Sequence, residues 1–288
     1  MAPLLAVALL LSGWLGHAAA ATRSFLWRVS AGQNVVYLVG SVHLLTKDYY
    51  PLSPALDAAL TDSNLLVEEV DMGEMLAPDA QINTLRRGML PADQSVDTVV
   101  SPATFALVNK TAADLGVPVE PLKRFKPWML ALTLLGLEWQ KAGFDAELGL
   151  DKHFYDRAKT EGKPVQGLET LDYQIARFDE MPMSQQDHLL AESLTELDTE
   201  TASVTSLADA WKAGDVPTVE RIVLQDLKSD PDLYQRLLVD RNRNWFPKID
   251  ALFRRPGRTL VVVGAAHLVG PDGLIQMLQA KGYTVEQM

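Results

Sequence analysis

The chain has 288 residues, 48% hydrophobic and 22% charged, values that allow a sizeable core and exclude global disorder. It carries 37 acidic and 26 basic side chains, a formal net charge of −11, which argues against nucleic acid as a partner and leaves no polybasic patch for a membrane surface. There is no cysteine, so disulfides are excluded and any metal site must use His, Asp, Glu, amides or water.

The first twenty residues contain no Asp, Glu, Lys or Arg. An apolar run from Leu4 to Leu15 is followed by Ala18-Ala19-Ala20-Ala21. A short apolar run before an A-x-A-like site is the pattern of a signal peptide over residues 1–21. The expected mature protein is 22–288, exported to the periplasm or secreted. The apolar stretch is short for a bilayer span, so no stable span is expected after cleavage. No cysteine follows it, which excludes a lipoprotein anchor.

Two strands open the mature chain, Phe25 to Val29 and Asn34 to Val39, joined by a turn at Ala31-Gly32-Gln33-Asn34. A helix follows Pro51, with Leu52, Leu56, Ala59 and Leu60 at helical spacing. Asn64 to Val70 reads as a strand. Pro102 to Leu115 is a helix and Val117 to Leu122 a short strand. Trp128 to Gln140 is apolar but too short to span a bilayer, and reads as a buried helix or a cap over a cleft. Leu148 to Lys159 is a helix and Val165 to Leu168 a brief strand. Ser184 to Phe253 shows only helical periodicity, with helix starts at Asp215-Val216-Pro217 and Ser229-Asp230-Pro231. Thr259 to Val263 is a strand, Pro271 to Ala280 a helix, and Tyr283 to Glu286 a final strand. The pattern is α/β at the two ends with a large helical insertion between, about 172–256, as a lid or an interaction surface.

One motif occurs twice: apolar strand, Gly-x-x-His-Leu, helix. It spans Gly40-Ser41-Val42-His43 and Gly264-Ala265-Ala266-His267. Each His lies just past the C-terminal end of a buried strand, where ligand sites of open α/β sheets gather. Two turn histidines without a common role are the plainer reading. Neighbouring strands would let both imidazoles converge as metal ligands or bases. Alternation along Leu65 to Asp71 puts Glu69 and Asp71 on one face and Glu68 on the other. These acids either supply a carboxylate to a site or mark a strand reaching solvent. Glu169 repeats that choice, beside Thr170 or Asp172 as a helix cap. Arg241, on a helix with Asn244 or Trp245 on its face, either holds an anion or lies on a solvated side. His153 reads as a partly buried helix residue and His188 as surface. No H-E-x-x-H, G-x-S-x-G, P-loop or G-x-G-x-x-G is present.

Six landmarks then occur in order: Gly40 to His43, Leu66 to Asp71, Gly149 to Phe154, Gly162 to Thr170, Asp240-Arg241-Asn242 and Gly264 to His267. Together they resemble the TraB/GumN family, of the Tiki-like superfamily, over nearly the whole mature chain. The resemblance implies an α/β fold with a central mixed sheet formed from the N- and C-terminal parts, shared with erythromycin esterases and haem-binding ChaN-like proteins. It implies His43, His267 and Glu69 as metal ligands, and Glu69, Glu169 and Arg241 as catalytic residues. The ion would be divalent, Mn²⁺ or Co²⁺, with Zn²⁺ compatible on ligand type. Peptide bonds, in a peptide or other small exported substrate, are the implied target of a metal-dependent hydrolase. Two alternatives stand beside it: a metal-independent esterase-like hydrolase, and a non-enzymatic envelope protein that binds haem or a glycan.

Overall fold

The computed structural model describes residues 23–195, 197–225 and 227–288. The leader expected over 1–21 lies outside the described residues. β1 (Leu26–Ala31) and β2 (Asn34–Ser41) form an antiparallel hairpin in which Ala31 pairs with Asn34. The apolar run after helix Pro54–Asp62 becomes β3 (Leu65–Glu68). β4 (Val165–Gly167), β5 (Arg258–Gly264) and β6 (Thr284–Gln287) complete one sheet, in the order β4-β3-β5-β2-β1-β6. β4, β3, β5 and β2 run parallel, while β1 is antiparallel to both neighbours. The fold is therefore α/β with a mixed sheet whose strands come from both ends of the chain.

The parallel strands explain their own sequences. A strand covered on both faces reads as a continuous apolar run, as in Leu260 to Val263 and Val35 to Val39, all buried. Trp245, Ile249, Phe154 and Ala158 close over the sheet from helices Asp240–Leu252 and Leu150–Thr160. Ile249 and Phe154 each contribute on the order of 1.5–3 kcal/mol when fully buried.

Two helical segments interrupt the sheet: Met72 to Thr160 between β3 and β4, and Leu171 to Leu252 between β4 and β5. Helix Pro127–Lys141 packs with Pro102–Leu115 and Met183–Thr195 around Leu130, Leu134, Val108 and Leu190. This second apolar cluster is separate from the one on the sheet, so the apolar helix is a core element rather than a cap over the cleft. Residues 117–122 differ from the expected strand. Val119–Leu122 is a helical turn entered through extended Pro118. Pro118 and Pro121 have no N–H for a ladder, and Pro121 fits the first turn of a helix.

Candidate functional site

Three parallel strands end side by side. Gly40 of β2 pairs with Val263 and Ser41 with Gly264 of β5, and Glu68 of β3 pairs with Val262. This register brings the two Gly-x-x-His motifs together, offset by one residue. Past Gly264 the chain turns at once into the short helix Ala265–Leu268, which carries His267 into the interior. Gly264 is required by a close approach. Its amide donates to Glu69 Oε1 at 2.7 Å, and a Cβ there would stand 3.2 Å from that oxygen and 3.5 Å from His43 Nε2.

Arg241 is the hub of the interior. It enters on helix Asp240–Leu252, two residues after a π-helical turn at Gln235–Val239. Nη2 donates to Glu69 Oε2 at 2.5 Å and to Glu169 Oε1 at 2.8 Å, and Nε donates to Glu169 Oε1 at 3.0 Å. Trp245, one turn on, places its ring 4.6 Å from the guanidinium and donates Nε1–H to Glu169 Oε2 at 2.7 Å. Glu169 reaches this point because β4 continues its pairing past Gly167, with the Glu169 amide donating to Glu69 O.

The hydrogen-bond chemistry sets the tautomer of His267. Asn242 Nδ2 donates to the carbonyls of His267 and Asp272, at 3.2 and 2.8 Å, so its Oδ1 is the acceptor. His267 Nδ1 lies 2.8 Å from that Oδ1 and must carry the proton. The lone pair is then on Nε2, where Arg241 Nη1 donates at 3.0 Å and Glu69 Oε1 stands at 3.8 Å.

His43 is held differently. It lies in the loop after β2, with Nδ1 2.8 Å from Asp151 Oδ2, and Ser41 Oγ donates to both Asp151 oxygens. Asp151 opens helix Leu150–Thr160, and Gly149 lets that helix start against the His43 backbone. A Cβ on Gly149 would fall 2.1 Å from the His43 carbonyl oxygen. The His43 side chain is 59% exposed, its Nε2 side facing Gly264 and Glu69.

These contacts push the ionisable groups apart. Asp151 pushes the His43 imidazole up to about 9, and the charge of Glu69 adds to it. Burial pushes His267 down to about 3, keeping it neutral; nearby Glu69 opposes this and Arg241 adds to it. Burial would raise Glu69, but Arg241 above all, with His43 and the Gly264 amide, outweighs it and holds its carboxyl well below the usual range. Glu169 shares Arg241 yet moves up, because burial and the charge of Glu69 outweigh the guanidinium there.

A cavity of about 300 Å³ opens on this centre, lined by His43, Glu68, Glu69, Asp151, Gln174 and the side chains of Met72 and Met75 among others. Larger hollows of about 430 and 470 Å³ flank helix Val216–Gln225, and neither is lined by His43, Glu69, Arg241 or His267.

The family model of the TraB/PrgY/gumN family matches residues 25–287. The chain belongs to this family. It is similar to the uncharacterized protein YbaP of Escherichia coli (strain K12), 29% identical over 248 residues, covering 86% of this chain and 89% of that protein. The YbaP of Shigella flexneri is equally similar, at 29% identity over the same shares. No solved structure matches the chain.

In this TraB/PrgY/gumN protein His43, Glu69, Glu169, Arg241 and His267 are drawn into one connected centre. Among the described residues no three His, Asp or Glu side chains stand ready at metal-binding distances; Arg241 occupies the Nε2 side of His267. His153 lies off the centre, partly buried against Tyr50 and 3.7 Å from Asp57, and His188 is on the surface. On the Arg241 face it is Trp245 that is buried, while Asn244 is exposed. Asp71 is not beside Glu69 but caps helix Met72–Met75, because the ladder stops at Glu68. Two residues of the centre were not picked out as candidates: Asp151 and Asn242. Both stood inside the landmark segments, next to residues already considered, and a polar side chain near a helix start was their only signal.

Proposed function

We propose that this protein is an exported hydrolase of peptide bonds whose centre holds a divalent ion between His43, His267 and Glu69. One observation carries the reading. Both imidazoles are tied through Nδ1, to Asp151 and to Asn242, and both turn their Nε2 sides toward Glu69. Metal-ligating histidines are commonly oriented by such a partner on the other ring nitrogen. The donor set fits Mn²⁺, Co²⁺ or Zn²⁺ in ligand type. When bound, the ion would lower the pKa of a water and polarise a carbonyl.

The chain's own residues supply the rest. Arg241 keeps Glu69 ionised, and so able to act as a ligand or to accept a proton. Glu169 and Trp245 hold Arg241 in place, which makes Glu169 a positioning residue for that guanidinium. Arg241 has every nitrogen engaged, so stabilising an oxyanion would require Nη1 to leave His267. Because His43 must be neutral to bind a cation, metal affinity rises with pH.

A second reading is favoured by the Arg241–His267 hydrogen bond at 3.0 Å. It leaves His43 as the imidazole open to the cavity, oriented by Asp151 for metal-free hydrolysis. Elemental mass spectrometry after dialysis against Mn²⁺, Co²⁺ and Zn²⁺ decides between them. Near-stoichiometric metal in the wild type, lost in a folded His43→Ala/His267→Ala variant, supports the metal centre. No retained metal, with peptide hydrolysis that survives chelation, replaces it with the second reading.

A further inference from the structure

β3 ends in two adjacent carboxylates, and the arrangement above uses only Glu69. Alternation along the strand turns Glu68 the other way, toward helix Leu150–Thr160 with its Asp151 and Asp156. Glu68 is 2% exposed. Its Oε2 accepts the Met72 amide at 3.2 Å, and its Oε1 is buried with no hydrogen-bond partner among the described residues. A buried acceptor left without a donor is unfavourable. Yet Glu68 lines the same cavity as His43 and Glu69.

The other charged groups of that cavity are committed. Asp151 is taken by Ser41 and His43, and Glu69 by Arg241, Gln174 and the Gly264 amide. Lys152 is tied to Asp156 and Glu147. The carboxylates of Asp151, Asp71 and Asp156 stand near Glu68, so the field at its unpaired oxygen is negative. A cation relieves a field of that sign, whereas a neutral donor does not. Met72 and Met75 stand beside Glu68 in the wall. Their unbranched thioethers can shift to open Oε1 and cover an aliphatic stem.

We propose that the Glu68 end of the cavity is a subsite for a primary ammonium group of the substrate, seated between Glu68 and the wall formed by Met72 and Met75. The source is a free peptide N-terminus or a lysine side chain. The inference rests on reading this cavity as the substrate site.

The test reads binding rather than turnover, from the methionine methyl resonances of the full chain in chelator. The probes are trialanine, N-acetyl-trialanine, and N-acetylated tripeptides with lysine or norleucine at the centre. Free trialanine should shift the Met72 and Met75 methyls, and acetylation should weaken binding at least about tenfold, as should Glu68→Gln. Glu68→Asp, which keeps the carboxyl one methylene shorter, should fall between and guards against a folding defect. Preference for lysine over norleucine would assign the side chain as the source; preference for free trialanine alone would assign the N-terminus. Equal binding of free and acetylated trialanine together with equal binding of the lysine and norleucine probes, equal binding by Glu68→Gln, or no shift of the two methyls at millimolar probe overturns the proposal. Amine binding without peptide hydrolysis would leave this subsite standing and remove the peptidase reading. Hydrolysis indifferent to acetylation and to Glu68→Gln would do the reverse.

Discussion

Replacing Arg241 by alanine tests the hub directly. The guanidinium donates to Glu69 and Glu169 at 2.5 to 3.0 Å, and both carboxylates are buried. Its removal leaves two buried negative groups facing each other, with His267 Nε2 unpaired. Breaking a buried ion pair from one side costs about 3–5 kcal/mol, because an uncompensated charge remains. Set against a total stability of about 5–15 kcal/mol, that is a large share. Urea unfolding followed by tryptophan fluorescence should show a midpoint lowered by about 1–2 M at pH 7. The loss should shrink as pH falls toward 5. Without Arg241, burial raises both folded-state pKa values above the ordinary carboxylate value. The penalty is then present above that value and relieved as the groups take up protons. Adding Glu69→Gln and Glu169→Gln to Arg241→Ala should recover most of the loss, since no charge remains to bury. A variant within about 1 kcal/mol of wild type at pH 7 would refute the buried-pair argument, as would a loss that does not change between pH 7 and 5.

Two further predictions follow from the titrating groups. Asp151→Asn removes the main force on His43, so histidine NMR should show the imidazole, which Asp151 pushes up to about 9 in the wild type, falling to or below its ordinary value; no difference between the two proteins would break the assigned pairing. Glu68 is raised from 4.5 to about 8 by burial first, so its contribution to stability is full below pH 4.5 and is lost as pH rises to 8. In chelator, wild type should therefore lose more stability between pH 5 and 8 than Glu68→Gln, by a few kcal/mol in order of magnitude; parallel curves would contradict a neutral buried Glu68.

What the sequence alone determined were the parts that depend on local pattern. Continuous apolar runs from Val35 to Val39 and Leu260 to Val263 mark strands buried on both faces, and each is followed by Gly-x-x-His. Helical periodicity identified the long segment before β5, and Asp230 before Pro231 marked a helix start that the structure retains. The short segment at Val117 was misread, because β-branched residues outweighed two prolines in a stretch with no partner strand.

Only the tertiary structure decided which of these ends meet and what holds them. Glu69 and Arg241 are separated by 172 positions, and His43 and Asp151 by 108. Periodicity reports that a residue is buried or exposed, but not which distant residue it faces. The β2–β5 register aligns Ser41 with Gly264, the proton on His267 Nδ1 follows from Asn242, and the end of the β3 ladder at Glu68 separates Glu69 from Asp71. Each depends on a hydrogen bond between segments far apart in the chain, and no local pattern encodes that partner.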